Sequence, residues 1–199
     1  LSAAGSFQWF RDQLASDVEF SALSEEAGSV DPASNGLLFL PYLSGERTPH
    51  PDPLARGAFV GLTVRHQRRH LARAVMEGVA FGLRDSAELI KTATDLGEVR
   101  VSGGGANSAV WLQIISDVMD LPVRVVGTPE GAAHGAALLA ATGAGVFGSV
   151  KEAADAAVQV GEPIDPTGAS ATYDEAYEIY RSLYPALRDG FHRASGLDS

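Results

Sequence analysis

The residues best suited to chemistry are three consecutive glycines, Gly103-Gly104-Gly105, with Ala106, Asn107 and Ser108 after them. Without a Cβ the backbone takes positive φ and lets a ligand come close. A helix opening just beyond presents unpaired N–H groups and the positive end of its dipole, where an anion or the polar edge of a nucleotide docks. The same glycines also make a plain strand-to-helix turn, and on these residues alone both readings stand. No Gly-Lys-Ser/Thr occurs in the chain, which excludes a P-loop. A dinucleotide fingerprint is a near miss: Ser108 stands where the third glycine belongs, and Arg124 rather than an acid marks the next strand.

Other candidates carry less. His66 and His70 have the spacing of a two-histidine zinc site, but Gln67 stands where the general base belongs and no third ligand is near. Glu46, His50 and Asp52 share a loop and have the chemistry to bind a cation, although Pro49, Pro51 and Pro53 point to a stiffened loop with a positional role. Gly131-Ala-Ala-His-Gly135 gives a helix a small-residue stripe that lets another helix or a flat ring come close, and helix packing is the favoured reading. The absence of Gly-x-Ser-x-Gly excludes an α/β-hydrolase elbow. No metal site is expected.

The elements that position these residues follow from periodicity. Phe7, Phe10, Leu14 and Ala15 predict one face of a helix over 6–15, and a second helix ends near Gly28. Ser29–Gly36 is rich in turn formers, Leu37–Leu40 reads as a buried strand stopped by Pro41, and 44–56 must be loop. Ala58–Leu62 returns to strand, and a long helix runs from Gln67 to Thr92 with Leu71, Val75, Val79, Gly82 and Ser86 on one stripe. Glu98–Ser102, Ser108–Met119 and Val123–Val126 then read as a parallel strand–helix–strand unit around the glycine turn. Thr128-Pro129-Glu130 is a helix start, with an N-cap hydroxyl, proline at the first position and a carboxylate at the positive end. Ser149…Glu152 and Thr172…Glu175 read as capping boxes. The last helix stacks Ala176, Tyr177, Tyr180, Leu183 and Tyr184, and Pro185 should kink or end it. The pattern is α/β, a partly parallel sheet covered by helices.

Composition narrows the partners. The chain has 199 residues, 45% of them hydrophobic, enough for one domain with a real core. A formal charge of −10 argues against nucleic acid and anionic membrane surfaces, both of which need clustered Lys and Arg. The cluster from Arg65 to His70 is short and reads as a solvated helix start. With no cysteine there is neither disulfide nor thiolate metal site, which fits a reducing cytoplasm. No apolar run reaches the ~18 residues of a membrane span. A first residue Leu1, without Met or a signal pattern, reads as a piece of something longer.

Three stretches together resemble one family. Phe39-Leu-Pro-Tyr-Leu-Ser-Gly-Glu-Arg-Thr-Pro-His50 is similar to the FGGY carbohydrate kinases, most of all to the bacterial xylulokinases among them. Gly57-x-Phe59-x-Gly61-Leu62, seven residues, then His70-Leu71-x-x-Ala74-Val75-Met76-Glu77 looks like the family's second signature. The turn Gly103–Ser108 is similar to its adenosine motif, and 1–9 looks like the helix carrying a glutamine near the nucleotide. The resemblance spans nearly the whole chain and weakens after about Phe147.

It implies an actin-like ATPase (ribonuclease H-like) α/β domain with a mixed sheet flanked by helices. Residues 1–199 would be the C-terminal, nucleotide-binding domain of a two-domain sugar kinase, with ATP and Mg2+ in the cleft. Gly103, Gly104, Gly105, Asn107, Ser108 and Gln8 would meet the nucleotide, and Glu46 and Arg47 would form one lip of the substrate cleft. Ser108 takes the place of an asparagine found in some members, Ala4 that of a glycine, and His134 that of a leucine-like residue. The catalytic aspartate, the phosphate loop and the D-xylulose-binding residues of the family would all precede Leu1. No catalytic residue is therefore expected within the chain, which alone should bind ATP weakly and not phosphorylate. Apolar surface turned towards the missing domain would favour self-association, for instance as a homodimer.

Overall fold

Helix α3, Arg68–Lys91, is the axis of the molecule, and its sequence explains why. Ten consecutive residues from Ala72 to Phe81 are buried, so this stretch is enclosed on all sides rather than amphipathic. Small residues make that possible. At Gly78 an added Cβ would stand 2.2 Å from the Phe39 carbonyl oxygen, so the strand beside it approaches only a glycine. The computed structural model describes residues 3–127 and 131–197. The predicted start at Thr128-Pro129-Glu130 lies outside them.

Around α3 the elements run α1 (Ala3–Leu14), α2 (Phe20–Gly28), a 3-10 turn (Pro32–Gly36), β1 (Leu38–Leu40), β2 (Ala58–Val60), α3, then β3 (Val99–Val101) and α4 (Ala109–Met119). They continue with β4 (Val123–Val125), α5 (Gly131–Gly143), α6 (Val150–Ala157) and α7 (Ser170–Ser195). β1 and β2 pair antiparallel with Phe39 opposite Phe59, and β3 and β4 pair parallel with Arg100 opposite Arg124. Residues 159–164 run antiparallel along β4: Gly161 N donates to Val125 O at 2.9 Å, and Val123 and Ile164 exchange both bonds. The second sheet is thus mixed.

Helix α7 closes the core with tyrosines at helical spacing, and each hydroxyl has a partner. Tyr173 meets Glu77, Tyr177 donates to Asp85 at 2.7 Å, Tyr180 pairs with Tyr42 at 3.2 Å, and Tyr184 donates to Asp52 at 2.8 Å. Buried phenols need such partners, and four of them lock α7 to α3 and to the segment after β1. Helix α7 therefore belongs to the same core as the residues before 144.

Several sequence expectations are corrected. Leu14 is 56% exposed, because α1 ends there and the chain turns so that Ala15 packs instead. Helix α7 opens with Ala169 as its N-cap, so Thr172 lies in its first turn and forms no capping box. Pro185 does not end α7, which continues to Ser195. Ser149 does cap α6, accepting from Glu152 N at 3.1 Å, but the Glu152 carboxylate accepts from Gly148 N rather than closing the box. His70 is buried, not solvated: its Nδ1 accepts from Gln67 N at 3.0 Å and caps α3.

Candidate functional site

The glycine turn is built by its neighbours. Gly103 sits at φ 84°, ψ −168°, a region open in practice to glycine alone. The chain then tightens into a 3-10 turn over Gly104–Asn107, and Ser108 caps α4 by accepting from Trp111 N at 3.1 Å. Ser108 Oγ also lies 2.6 Å from Ser24 Oγ on α2. At its far end α4 stops with Asp120 in the left-handed conformation, its N–H returned to Ser116 O.

Beside this turn opens a cavity of about 690 Å³ between α1, α2 and the start of α4. Gln8, Gly104, Gly105, Asn107 and Ser108 all line it. Gly103 shapes the turn without lining the cavity, and Glu46 and Arg47 lie elsewhere, beside a smaller one of about 260 Å³. That second cavity is walled by Pro41, Val79 and Gly82.

The first cavity has an aromatic wall. Phe7 stands 5.6 Å from Trp111 and 6.2 Å from Phe20, centroid to centroid. Trp111 is fixed from behind by its Nε1–H, which donates to Met76 O at 3.0 Å. The polar lining is neutral or acidic, with Glu19 and Glu25 at the mouth and no Lys or Arg. Carboxylates there repel phosphate and accept hydrogen bonds from hydroxyl or amino groups. A flat base and its sugar suit this lining; a phosphate chain would have to point away from it.

Sequence reasoning did not single out Phe20, Glu19, Ser24 or Glu25. Helix α2 carries no motif, and only its packing against α4 brings it to the cavity. Trp111, at the third helical position after the Ser108 cap, was the one neighbour that spacing could have flagged.

The other candidate clusters resolve into internal contacts. Thr63 N donates to His66 Nδ1 at 2.9 Å and Gln67 N to His70 Nδ1, so each ring serves its own turn. Among the described residues, no group of three or more His, Asp or Glu is placed to hold a metal ion. Among them, too, no helix is long and apolar enough to cross a membrane.

An α/β domain with a mixed sheet wrapped by helices is the architecture of the actin-like ATPases. Within that class the assignment is direct: the FGGY family of carbohydrate kinases, C-terminal domain, matches residues 1–144, and the chain belongs to this family. It is 36% identical over 191 residues to the xylulose kinase of Bacillus subtilis, covering 95% of this chain and 38% of that one. To the gluconokinase of the same species it is 33% identical over 190 residues, 89% of this chain and 36% of that one. The ligand-bound crystal structure of xylulose kinase from Lactobacillus acidophilus superposes with a TM-score of 0.88 at 31% identity, covering 96% of this chain and 39% of that one. The chain thus spans under two-fifths of the length of these relatives.

Proposed function

We propose that the cavity at the Gly103–Ser108 turn binds the nucleoside end of ATP, and that the chain is the nucleotide-binding half of a kinase acting on D-xylulose. The observation that carries this is convergence. Gln8, Gly104, Gly105, Asn107 and Ser108, from places a hundred residues apart, line one cavity whose walls are aromatic and free of basic side chains. When bound, ATP supplies the γ-phosphoryl group for transfer to a sugar hydroxyl.

The chain's own residues would bind and orient. Trp111 and Phe7 offer the apolar wall for the base, Asn107 and Gln8 the amide groups for its edge and the sugar, and Glu25 an acceptor for hydroxyls. Ser108 contributes less directly, since its hydroxyl already serves Trp111 N and Ser24. Mg2+ would be held chiefly by the phosphates, with one or two carboxylates completing its shell. The base for the acceptor hydroxyl would come from sequence beyond these 199 residues, across a cleft whose near lip carries Glu46 and Arg47. All 199 residues would form this one domain.

D-Xylulose is favoured because similar relatives include xylulose kinases of several bacteria. The similarity to gluconokinases supports a second reading, a kinase for a sugar acid. Joining the chain to its upstream coding sequence and following ADP release separates them. Strong stimulation by D-xylulose over D-gluconate, D-ribulose and glycerol is expected; stimulation by none of them would overturn the proposal.

A further inference from the structure

The loop between β1 and β2 is held from the far end of the molecule. Asp52 is buried, and its carboxylate is fully engaged. Oδ2 accepts from the Tyr184 hydroxyl at 2.8 Å and lies 2.8 Å from His192 Nε2, while Oδ1 accepts from Leu54 N at 2.9 Å. His50 stacks on the Tyr184 ring at 3.9 Å, and Tyr42 meets both rings edge-on. The acid and histidine that suggested a cation site in the sequence are therefore spent on α7.

The same Asp52 sets its neighbour's backbone. Glu46 N donates to Asp52 O at 2.9 Å and Asp52 N to Glu46 O at 3.0 Å, a one-rung antiparallel pair. From there Glu46 Oε1 accepts from Arg47 N at 2.6 Å and Thr48 N at 3.3 Å, which shapes the tip beside the second cavity. A continuous chain of hydrogen bonds thus links the last turns of α7 to Glu46 and Arg47.

We infer that Tyr184 and His192 are positioning residues: acting through Asp52, they hold the Glu46–Arg47 loop in the form that borders the second cavity. That this cavity faces the sugar rests on the proposed function; the clamp itself does not. A loop lip must be preorganised to add to catalysis, and the bonds from α7 to Asp52 add order from outside to a loop whose own backbone bonds join Glu46 to Asp52.

The test has two arms. Amide exchange by NMR on this chain compares wild type with Tyr184→Phe, which keeps the ring stack, His192→Ala, and His192→Gln, whose amide can still donate. Losing one bond to a buried carboxylate should speed exchange at Glu46 and Asp52 by roughly tenfold in the first two variants, with the glutamine restoring protection and α4 unchanged. Unchanged loop exchange, or a uniform rise across the chain, would overturn the inference. In the enzyme joined to its upstream sequence, kcat/KM for the sugar should fall about tenfold with KM for ATP unmoved; an equal loss for both substrates would overturn it as well. If wild type shows no response to any sugar, the proposed function fails while the exchange arm still decides the clamp.

Discussion

Arg73 and Glu77, one turn apart on α3, form an ion pair of 2.8 Å in which both side chains are more than nine-tenths hidden from solvent. The carboxylate gathers three further donors from two other segments: Ala33 N at 3.0 Å, Ser34 Oγ at 2.7 Å and the Tyr173 hydroxyl at 3.0 Å. Burial pushes the Glu77 carboxyl up, against Arg73, Ser34 and Tyr173, which pull it down. Ala33, Ser34 and Asn35 all hold positive φ, between 47° and 64°, an arrangement that needs outside support. Glu77 supplies it and ties α3, α7 and this turn together.

Removing one partner of a buried pair leaves the other charge stranded. Glu77→Ala is therefore expected to destabilise the chain by about 3–5 kcal/mol, read from urea unfolding. A loss below ~1 kcal/mol would show that the network is not what holds the turn.

Gly78→Ala sets two effects against each other. Alanine gains about 1 kcal/mol of helix propensity, yet its Cβ would stand 2.2 Å from Phe39 O, which must move. Overpacking costs about 1–3 kcal/mol, so we expect net destabilisation and a lower thermal midpoint. A raised midpoint would mean that β1 can shift freely.

Gly104 gives the opposite case. No atom lies within 4 Å of a Cβ built there, so a side chain would project into open space at the cavity. Gly104→Val should leave stability within about 0.5 kcal/mol and lower nucleotide affinity roughly tenfold or more. Thermal unfolding and calorimetric titration with ADP check the two halves separately.

Asp52 carries a pH signature. Burial opposes its charge, but hydrogen bonds from His192, Tyr184 and Leu54 N prevail and hold its carboxyl at about 2, below the ordinary 3.8. A lowered folded value contributes stability above the unfolded one, and that contribution is lost as pH falls through 3.8 towards about 2. Between pH 3.8 and about 2 the stability gap between wild type and Asp52→Asn should shrink. A gap that widens within that window would contradict the assigned partners.

What the sequence made legible was what is local. The strand–helix–strand unit, the long α3 and the glycine turn follow from periodicity, capping and the freedom of Gly103. The Ser108 cap is a short-range bond between residues three apart. Tertiary contacts were not legible. Nothing in Phe20–Gly28 says that α2 will wall the cavity, and nothing near Asp52 points to His192, 140 residues on. Thr172 misled because a capping box is a common local pattern, whereas bonds from 165–167 to α4 set where α7 begins. Asp117 accepts from Thr167 N at 2.6 Å, and Gln113 donates to Asp165 O at 2.9 Å.

The most direct test is an NMR titration of this chain with ADP into the millimolar range, following backbone amides. The proposed nucleoside site predicts shifts concentrated at Gly104, Gly105, Asn107 and Ser108, the Trp111 indole and the Gln8 side-chain amide, saturating together. Shifts absent there, or gathered beside Glu46 and Arg47 instead, would contradict it.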